Sequence, residues 1–304
     1  MSIFIMTVGL PASGKDTLYH DVYEDNFTMV SSDDIREELY GDINDQTHNV
    51  KVFDAMYQRT VALLSGGKNV YYNATNLSQK RRIHLLNSLK SRVGFHSICI
   101  VFTLPFNECL IRNSMRKREV PSYVMGRMVR NFNPPSYCEG WDNILFYRDG
   151  EATDINRIRL AAEQIPHDNP HHSLTIGQHM SRATTLYISD CLDKGEKIDR
   201  IISDTLNYHD IGKPFCKTFT NMKGEETDIA HYYFHENVGA YIFLSSITLS
   251  HLDNDDGSLL VANLIAHHMD KFKGDKYMAK IQKLYGTSFI KALETIHHFD
   301  TAAH

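Results

Sequence analysis

The sequence predicts two domains in tandem: an α/β domain with a parallel sheet and helices on both faces over residues 1–150, then an all-helical domain over residues 151–304. Three observations support this division. Short β-rich segments alternate with helical patterns in the first half, and a glycine-rich loop follows the first of these segments. From Asp154 onward, helical patterns follow one another with almost no strand pattern. A chain of 304 residues is long enough for two domains of ordinary size.

The β-rich segments of the first half are short and bounded by polar or glycine-containing stretches. The predicted strands are Ile3–Val8, Phe27–Val30, Val70–Tyr72 and Ile98–Leu104, with a further candidate at Ile144–Tyr147. The clearest helical patterns between them are Val50–Leu64 and Ser78–Leu89, the latter with Ser78 as the predicted N-terminal cap. The pattern changes after Trp141 and Asp142, which puts the domain boundary near residue 150, within about ten residues.

Charge and histidine are unevenly distributed between the two halves. Residues 1–150 carry 17 Lys and Arg against 16 Asp and Glu, whereas residues 151–304 carry 15 against 21. Four of the 17 histidines precede residue 150 and thirteen follow it. Excess carboxylate and imidazole in one half suits a divalent-metal site, and the lack of a strongly basic patch counts against a large nucleic-acid footprint.

Cysteine usage and hydropathy indicate the compartment. The five cysteines are far apart and form no C-x-x-C pair, which favours a reducing, cytoplasmic environment over a disulfide framework. The apolar start MSIFIMTVG runs directly into the glycine-rich loop, so we expect a buried first strand rather than a signal peptide. No stretch of about 18 apolar residues is present, so we expect no membrane span.

The glycine-rich loop GLPASGKDT over residues 9–17 is nearly a phosphate-binding loop. Gly9, Gly14 and Lys15 fill the pattern G-x-x-x-x-G-K-[ST], and Asp16 departs from it. In such a loop, backbone N–H groups at a helix N-terminus surround a phosphate and the lysine adds a positive charge. A strand pattern before Gly9 and a helix pattern after Lys15 provide the expected context.

An aspartate and an arginine follow the second predicted strand. Asp33 lies at the carboxyl end of that strand, where parallel sheets form their binding crevice. A carboxylate there can accept a hydroxyl proton, and Arg36 three residues later can hold a substrate phosphate. The alternative is a helix cap formed by Ser32 or Asp33. Composition alone leaves both interpretations open.

Two further stretches favour the catalytic interpretation. NATNLS over residues 73–78 ends the third strand, and RNSMRKREVP over residues 112–121 sets Arg112 and Arg116 four residues apart on one helical face. Such an arginine pair on a lid can clamp a transferred phosphoryl group. The alternative for this stretch is a solvated basic face.

The motifs G-L-P-A-S-G-K, S-D-D-I-R, A-T-N-L and R-N-S-x-R, in this order, resemble the polynucleotide 5′-kinase family of phage end-healing enzymes over about residues 1–148. The resemblance implies Asp33 as general base for a 5′-hydroxyl and Arg36 on the phosphate of the acceptor, with Asn76 as a supporting contact. ATP and Mg²⁺ are the implied cofactors. The implied ATP-site residues are Gly9, Ser13, Gly14, Lys15, Asp16, Thr17, Arg112 and Arg116.

Two positions depart from that family. Relatives carry Ser or Thr where this chain has Asp16, and many carry Asp where it has Asn73. Both positions lie near the expected magnesium, so our hypothesis is that one carboxylate has moved from the third strand to the loop and the local charge is unchanged. The alternative is a decayed kinase that binds nucleotide without turning it over.

The helical half contains a His–Asp doublet in an array of single candidates. LNYHDIGKP over residues 206–214 sets His209 beside Asp210, followed by a glycine expected to end the helix and by Lys213. Mixed His and Asp ligation suits a hydrolytic Mn, Ni, Co, Fe or Zn ion, and Lys213 can hold a phosphate oxygen. The other candidate ligands are His179, His235, His267, His268 and Asp300.

The order H…HD…H…H…D with the flanking HDIGKP resembles the HD phosphohydrolase superfamily over about residues 165–304, and NPHHSLTIGQH looks like the entry to the HD domain of some tRNA nucleotidyltransferases. The resemblance implies one metal on His179, His209, Asp210 and Asp300. It implies a second metal served by His235 and His267, with His268 competing for the place of His267. His172 is the candidate for the phosphate pocket.

Together the two resemblances imply an RNA end-healing enzyme of the bifunctional kinase–HD kind, phage-encoded and acting in the host cytoplasm. It would phosphorylate a 5′-hydroxyl and remove a 2′,3′-cyclic, 2′- or 3′-phosphate from RNA ends, tRNA being a candidate, before an RNA ligase acts. Two alternatives stay open. One is a nucleoside or nucleotide kinase fused to an HD nucleotidase. The other is an HD phosphohydrolase regulated by an inert nucleotide-binding domain. The oligomeric state is not predicted.

Overall fold

The computed structural model describes residues 1–170, 173–249 and 252–303. The chain divides into two compact units. The first comprises residues 1–125, 135–151 and 249–254, and the second comprises residues 126–134, 152–248 and 255–304. In the described part of the chain, no helix has the length and apolar character needed to cross a membrane.

The first unit contains a five-stranded parallel sheet, as the alternating sequence pattern predicts. Its strands are β1 (Ser2–Val8), β2 (Thr28–Ser31), β3 (Val70–Asn73), β4 (Phe95–Phe102) and β5 (Asn143–Tyr147). The spatial order is β2-β3-β1-β4-β5, so the strand that leads into the glycine-rich loop is central. Because all five strands are parallel, the segments that follow β1, β2 and β3 meet at one edge of the sheet.

Six α-helices lie between β1 and β5 in the sequence. They are α1 (Lys15–Leu18), α2 (Ser32–Tyr40), α3 (Asn49–Ser65), α4 (Gln79–Lys90), α5 (Phe106–Ser114) and α6 (Ser122–Arg130). Ser78 does occupy the position before α4, but its side chain makes no capping hydrogen bond. Ser31 caps α2 instead of the predicted Ser32 or Asp33, accepting from the backbone N–H groups of Asp33 and Asp34.

A fully buried ion pair joins α4 to the segment before β5. Arg82 donates from Nε and Nη2 to the two carboxylate oxygens of Glu139, at 2.8 and 2.6 Å, and Trp141 Nε1 donates to the same carboxylate at 3.0 Å. Both charged side chains are completely excluded from solvent. Removing one partner therefore leaves a buried charge without its counter-ion.

We expect Glu139→Gln to lower the free energy of unfolding of the first unit by about 3–5 kcal/mol, the usual cost of breaking a buried pair. Trp141 is the only tryptophan, so its fluorescence in a urea titration reports on this unit. The double change Arg82→Met with Glu139→Leu removes both charges and is expected to cost less than Glu139→Gln alone. A loss below about 1 kcal/mol in Glu139→Gln would show that this pair does not stabilise the unit.

The second unit is mainly helical. Its further helices are α7 (Ile155–Ala161), α8 (Ile176–Lys194), α9 (Arg200–Tyr208), α10 (Lys213–Cys216), α11 (His235–Ser246), α12 (Asp256–His267), α13 (Asp275–Tyr285) and α14 (Thr287–Ala302). Its core is built by apolar residues of α8, α9, α12 and α14, among them Leu206, Leu264 and Ile296. This unit is compatible with the predicted all-helical domain, to which the structure adds one antiparallel hairpin of strands β6 (Thr218–Thr220) and β7 (Glu226–His231).

Gly212 brings two helices into close contact. A Cβ atom at this position would lie 2.1 Å from the backbone oxygen of His235 and 2.6 Å from the backbone nitrogen of Gly239, both in α11. Only glycine fits at that distance. Gly212 does not end a helix, as the sequence suggests, but precedes α10, and its close approach holds α11 beside the His209–Asp210 doublet.

Candidate active sites

The glycine-rich loop joins the end of β1 to the start of α1. Gly14 has φ +94°, the left-handed conformation that glycine adopts without strain. The ammonium of Lys15 is directed into the loop, where it donates to Leu10 O at 2.5 Å and to Gly9 O at 3.4 Å. Burial, supplemented by the charge of Arg116, lowers the pKa of Lys15 to about 8. Lys15 therefore already lies among the backbone groups of a phosphate-binding turn.

The two departures from the kinase pattern lie in direct contact. Asn73 at the end of β3 donates from Nδ2 to Asp16 Oδ1 at 2.5 Å. The carboxylate of this chain thus lies on the loop side and the amide on the strand side. A carboxylate at this edge of the sheet is available to Mg²⁺, which prefers oxygen ligands.

Two arginines bind the predicted general base. Arg36 donates to Asp33 Oδ1 at 2.9 Å, and Arg118 lies 2.7 Å from Asp33 Oδ2. Arg36 is buried and also donates to Asn49 at 2.7 Å, whereas the side chain of Asp33 keeps 35% of its exposure. The carboxylate therefore reaches solvent while its charge is neutralised. Arg118 was not predicted from the sequence, although it lies in the same RNSMRKREVP stretch as the two lid arginines.

Arg112 and Asn76, two further predicted residues of this unit, contact other parts of the unit. Arg112 pairs with Asp149 at 2.7 Å and with Glu108 at 3.0 Å, and the Asp149 carboxylate abuts Gly14. Asn76 has φ +46° and donates to Thr7 O at 2.8 Å, so its amide holds the end of β1. This contact supports the backbone at the end of β1, and the assignment of Asn76 as a substrate contact stays a prediction.

A cluster of four side chains lies in the second unit, drawn from α8, from the turn after α9 and from α14. His179 Nε2 lies 2.8 Å from Asp300 Oδ1 and 3.3 Å from His209 Nε2. Asp210 Oδ2 lies 3.7 Å from His179 Nε2 and 3.5 Å from His209 Nε2. These four residues are the predicted first ligand set, and the fold brings them together.

A second group of three side chains shares Asp210. Its other carboxylate oxygen, Oδ1, lies 3.2 Å from His235 Nε2 and 3.7 Å from His268 Nε2. The prediction of His267 is corrected to His268. His267 turns instead to Asp270, at 2.5 Å, and to the Tyr285 hydroxyl, at 3.1 Å. Asp210 therefore bridges two groups, His179–His209 on one side and His235–His268 on the other.

The orientation of the imidazoles fits divalent metals. His209, His235 and His268 each place Nδ1 at 2.7–2.8 Å from the backbone carbonyl three residues earlier. A carbonyl accepts only from N–H, so Nδ1 of each ring carries a proton and Nε2 is the atom that faces the cluster and can bind a metal. His235 and His268 then bring two Nε2 atoms within 3.2 Å, an arrangement that a cation between them stabilises.

The charges of the cluster support ligation as well. Burial opposes ionisation of Asp210, but Lys213 and the surrounding histidines prevail and hold the pKa of its carboxyl well below the usual range. Burial likewise opposes ionisation of Asp300, yet His209 and His179 lower its pKa. Both carboxylates are therefore anionic at neutral pH, which is the form that binds a metal.

Lys213 lies beside the cluster and has a partner that the sequence analysis missed. Its Nζ is 2.6 Å from Asp210 Oδ2 and 3.3 Å from His167 Nε2. Burial and the nearby Lys213 lower the pKa of His167 to about 4, so its ring is neutral at pH 7. His167 Nδ1 lies 2.8 Å from Leu174 O, so Nε2 accepts from Lys213. The candidate phosphate-pocket residue His172 lies outside the described residues.

Comparisons with known proteins bear on the first unit. Residues 4–135 match the AAA_33 family model, described as an AAA domain. Together with the glycine-rich loop after the central strand of a parallel sheet, this match identifies the first unit as a P-loop domain. A comparison with curated proteins gave no significant match.

Several solved structures are similar to this chain. A chain of the Pnkp1/Rnl/Hen1 RNA repair complex is 22% identical over 43% of this chain and 43% of that chain, with a TM-score of 0.39. A fungal RNA kinase is 12% identical over 54% of this chain and 45% of that one, with a TM-score of 0.38. A gluconokinase from Sinorhizobium meliloti 1021 is 15% identical over 48% of this chain and 81% of the gluconokinase chain, with a TM-score of 0.33. The chain spans less than half the length of the first two.

Proposed function

We propose that this protein heals RNA ends with two active sites, a P-loop 5′-hydroxyl kinase and a metal-dependent phosphohydrolase of the HD type. The observation that carries the proposal is the bridging carboxylate of Asp210 between two His pairs, in a chain that also carries a P-loop. Many nucleases leave a 5′-hydroxyl and a 2′,3′-cyclic phosphate, whereas ligation needs a 5′-phosphate and a free 3′-hydroxyl. One site adds phosphate and the other removes it, so that an RNA ligase can follow. We place this activity in the cytoplasm of a phage-infected cell.

In the kinase step, Asp33 accepts the proton of the 5′-hydroxyl as that oxygen attacks the γ-phosphorus of ATP, and the bond from this phosphorus to the β,γ-bridging oxygen breaks to release ADP. Arg36 orients the carboxylate and binds the acceptor phosphate. Lys15 neutralises the ATP phosphates, and the Asp16 carboxylate would hold Mg²⁺, which would neutralise further charge on them. Arg112 and Arg116 serve as lid residues over the transferred group. The contacts of Asp33 with Arg36 and of Lys15 with the loop support these assignments.

In the hydrolysis step, water attacks the phosphorus of the ester, the bond from phosphorus to the ribose oxygen breaks, and the leaving hydroxyl takes up a proton that the attacking water gives up. Divalent metals, when bound by the two groups that share Asp210, supply Lewis acidity for attack on phosphorus. Lys213 releases its pairing with Asp210 to hold a phosphate oxygen, and the neutral His167 keeps the ammonium aimed at the cluster. Burial of the cluster excludes bulk water and strengthens these charge interactions.

We expect ATP affinity to fall as pH rises above about 8. Lys15 has a pKa of about 8 before the nucleotide binds, and the phosphates restore it toward its ordinary value of about 10.4. Binding above pH 8 therefore takes up a proton, and the Kd rises by up to about tenfold per pH unit. Calorimetric titrations between pH 7 and 9.5 measure this slope. Lys15→Met is expected to bind weakly with little pH dependence, and a flat wild-type profile would contradict the assignment.

The hypothesis that a carboxylate has moved from the position of Asn73 to that of Asp16 leads to a separate prediction. Asp16→Asn is expected to lower ATP turnover by about 10- to 100-fold, because it weakens the placement of the magnesium ion. Asp16→Ser combined with Asn73→Asp returns the carboxylate to the strand and should recover most of the activity. The measurement is phosphoryl transfer as a function of Mg²⁺ concentration. Full activity in Asp16→Asn would contradict the exchange, whereas nucleotide binding without any phosphoryl transfer in the wild type would support the decayed-kinase alternative.

The three candidate functions differ in the molecule that accepts the phosphoryl group and in the phosphoester that is hydrolysed. The test incubates the wild-type protein and γ-labelled ATP with an RNA carrying a 5′-hydroxyl, a nucleoside or a nucleotide. In parallel, release of phosphate is measured from RNA 2′,3′-cyclic, 2′- and 3′-phosphates with Mn²⁺, Ni²⁺, Co²⁺, Fe²⁺ or Zn²⁺. End healing predicts label on RNA and release from RNA ends. Label only on small acceptors would favour the nucleotide kinase with an HD nucleotidase, and ATP-stimulated hydrolysis without any transfer would favour the regulatory domain.

A further inference from the structure

We infer that the second unit holds a second nucleotide of the RNA strand in a cavity next to the metal cluster, and that this subsite makes the hydrolase prefer a polynucleotide end over a mononucleotide. The inference rests on the proposed function of the Asp210 cluster. The cavity is lined mainly by the turn after α12 and by α14. Its lining residues are Lys271, Glu294, His297, His298, Thr301 and Ala302.

Both walls of the cavity belong to segments that also carry candidate ligands of the cluster. Lys271 lies in the helical turn His268–Lys273, three residues after His268. His297 and Thr301 flank Asp300 on α14. The side chain of Asp300 keeps 13% of its exposure, whereas those of His179 and His209 keep 1% or less. The cluster is therefore more open on the Asp300 side than at these two histidines.

The cavity offers one cation, Lys271, and several hydrogen-bond donors to a phosphate. Lys271 is exposed, and in the part of the chain that the structure describes it forms no ion pair. His297 and His298 add imidazole donors and Thr301 a hydroxyl, against the single carboxylate of Glu294 at this rim. The ammonium of Lys271 and these donors can bind the oxygens of one phosphodiester group.

An aromatic residue, Phe272, follows Lys271 in the chain and contacts His297. Phe272 is 66% exposed, an unusual state for so large an apolar side chain. It is nevertheless held by an edge contact with His297, with ring centroids 5.2 Å apart. Proteins that bind single-stranded nucleic acids combine exposed aromatic rings with cations, because the base stacks on the ring while its phosphate is neutralised.

The charge distribution of this unit agrees with an RNA strand as occupant. Residues 151–304 are acidic as a whole, with 15 basic against 21 acidic residues. Residues 271–291 reverse that balance, with six lysines against the single carboxylate of Asp275. This lysine-rich segment begins at the cavity, so it provides a positive surface along which a strand can leave the cluster.

The test compares an RNA dinucleotide 3′-phosphate and longer oligonucleotides with a nucleoside 3′-phosphate, using kcat/KM for phosphate release. We expect the wild type to favour the dinucleotide by about tenfold or more, since base stacking and one phosphate contact each add to binding. Lys271→Ala and Phe272→Leu should each remove most of that preference and leave kcat/KM for the nucleoside 3′-phosphate unchanged. Lys197→Ala, a lysine outside the cavity, serves as the matched control. Equal wild-type values for the two substrates, or equal losses on both in the variants, would overturn the inference.

If no phosphoester is hydrolysed, that result counts against the proposed function and not against the nucleotide subsite. A binding measurement then tests the subsite by itself. Fluorescence anisotropy with a short 5′-phosphorylated RNA gives the Kd at several salt concentrations. Lys271→Ala should weaken binding and lower the slope of log K against log salt by about 0.7, the contribution of one phosphate contact on a single strand. An unchanged slope and Kd in Lys271→Ala and Phe272→Leu would overturn the inference.

Discussion

Asp33→Asn is expected to lower phosphorylation of a 5′-hydroxyl RNA by about 10²- to 10⁴-fold, the usual contribution of a positioned general base. Asparagine keeps the size of the side chain and can still contact Arg36, but it cannot take up the hydroxyl proton. Because the loss concerns proton transfer rather than binding, it should appear in kcat, with little change in the KM for ATP. The measurement is steady-state transfer from γ-labelled ATP.

A neighbouring carboxylate provides the control. Asp34 follows Asp33 on α2, and its backbone N–H is likewise bound by the Ser31 cap. Asp34→Asn should retain activity within a few-fold of the wild type. An Asp33→Asn protein with near-normal kcat would remove Asp33 from the chemistry and return it to the structural role of an ion-pair partner for Arg36 and Arg118.

Asp210→Asn is expected to abolish phosphate release, with a loss of about 10³-fold or more. Each Asp210 oxygen serves one of the two candidate ligand groups, so an amide impairs both metals at once. Metal Lewis acidity is worth several kcal/mol, and each 1.36 kcal/mol corresponds to a factor of ten in rate. The same variant should bind less metal, which elemental analysis of the purified protein measures without any assay of activity.

The matched control for Asp210 is Asp204→Asn on the preceding helix α9. Asp204 is partly exposed and pairs with Arg200 at the surface, so its replacement should leave the metal content and the hydrolysis rate unchanged. Wild-type metal content and activity in Asp210→Asn would show that the cluster is a buried polar network rather than a metal centre.

The placement of the kinase residues was accessible from the sequence because parallel strands align their carboxyl ends. Once β1, β2 and β3 are recognised, the segments starting at Gly9, Ser32 and Ala74 must meet at one edge of the sheet. The contact between Asp16 and Asn73 follows from the same rule. Arg118 could not be predicted, since its pairing with Asp33 spans 85 residues and depends on the path of an irregular segment.

The choice between His267 and His268 needed the structure. Neighbouring residues on a helix point about 100° apart, and α12 ends at His267 while a tighter helical turn begins at His268. That change of geometry determines which ring faces Asp210. His167 was missed because its role depends on Lys213, which lies 46 residues away. The β6–β7 hairpin was missed because β6 has only three residues.

The measurement that tests the account most directly uses one RNA with a 5′-hydroxyl and a 2′,3′-cyclic phosphate, incubated with γ-labelled ATP, Mg²⁺ and Mn²⁺. Wild type, Asp33→Asn and Asp210→Asn are compared, and both ends of the product are analysed. We predict a labelled 5′ end and a free 3′-hydroxyl with the wild type, loss of the label alone in Asp33→Asn, and loss of 3′-end healing alone in Asp210→Asn. Failure of the wild type to change either end, or loss of both activities in each variant, would contradict two independent healing sites in one chain.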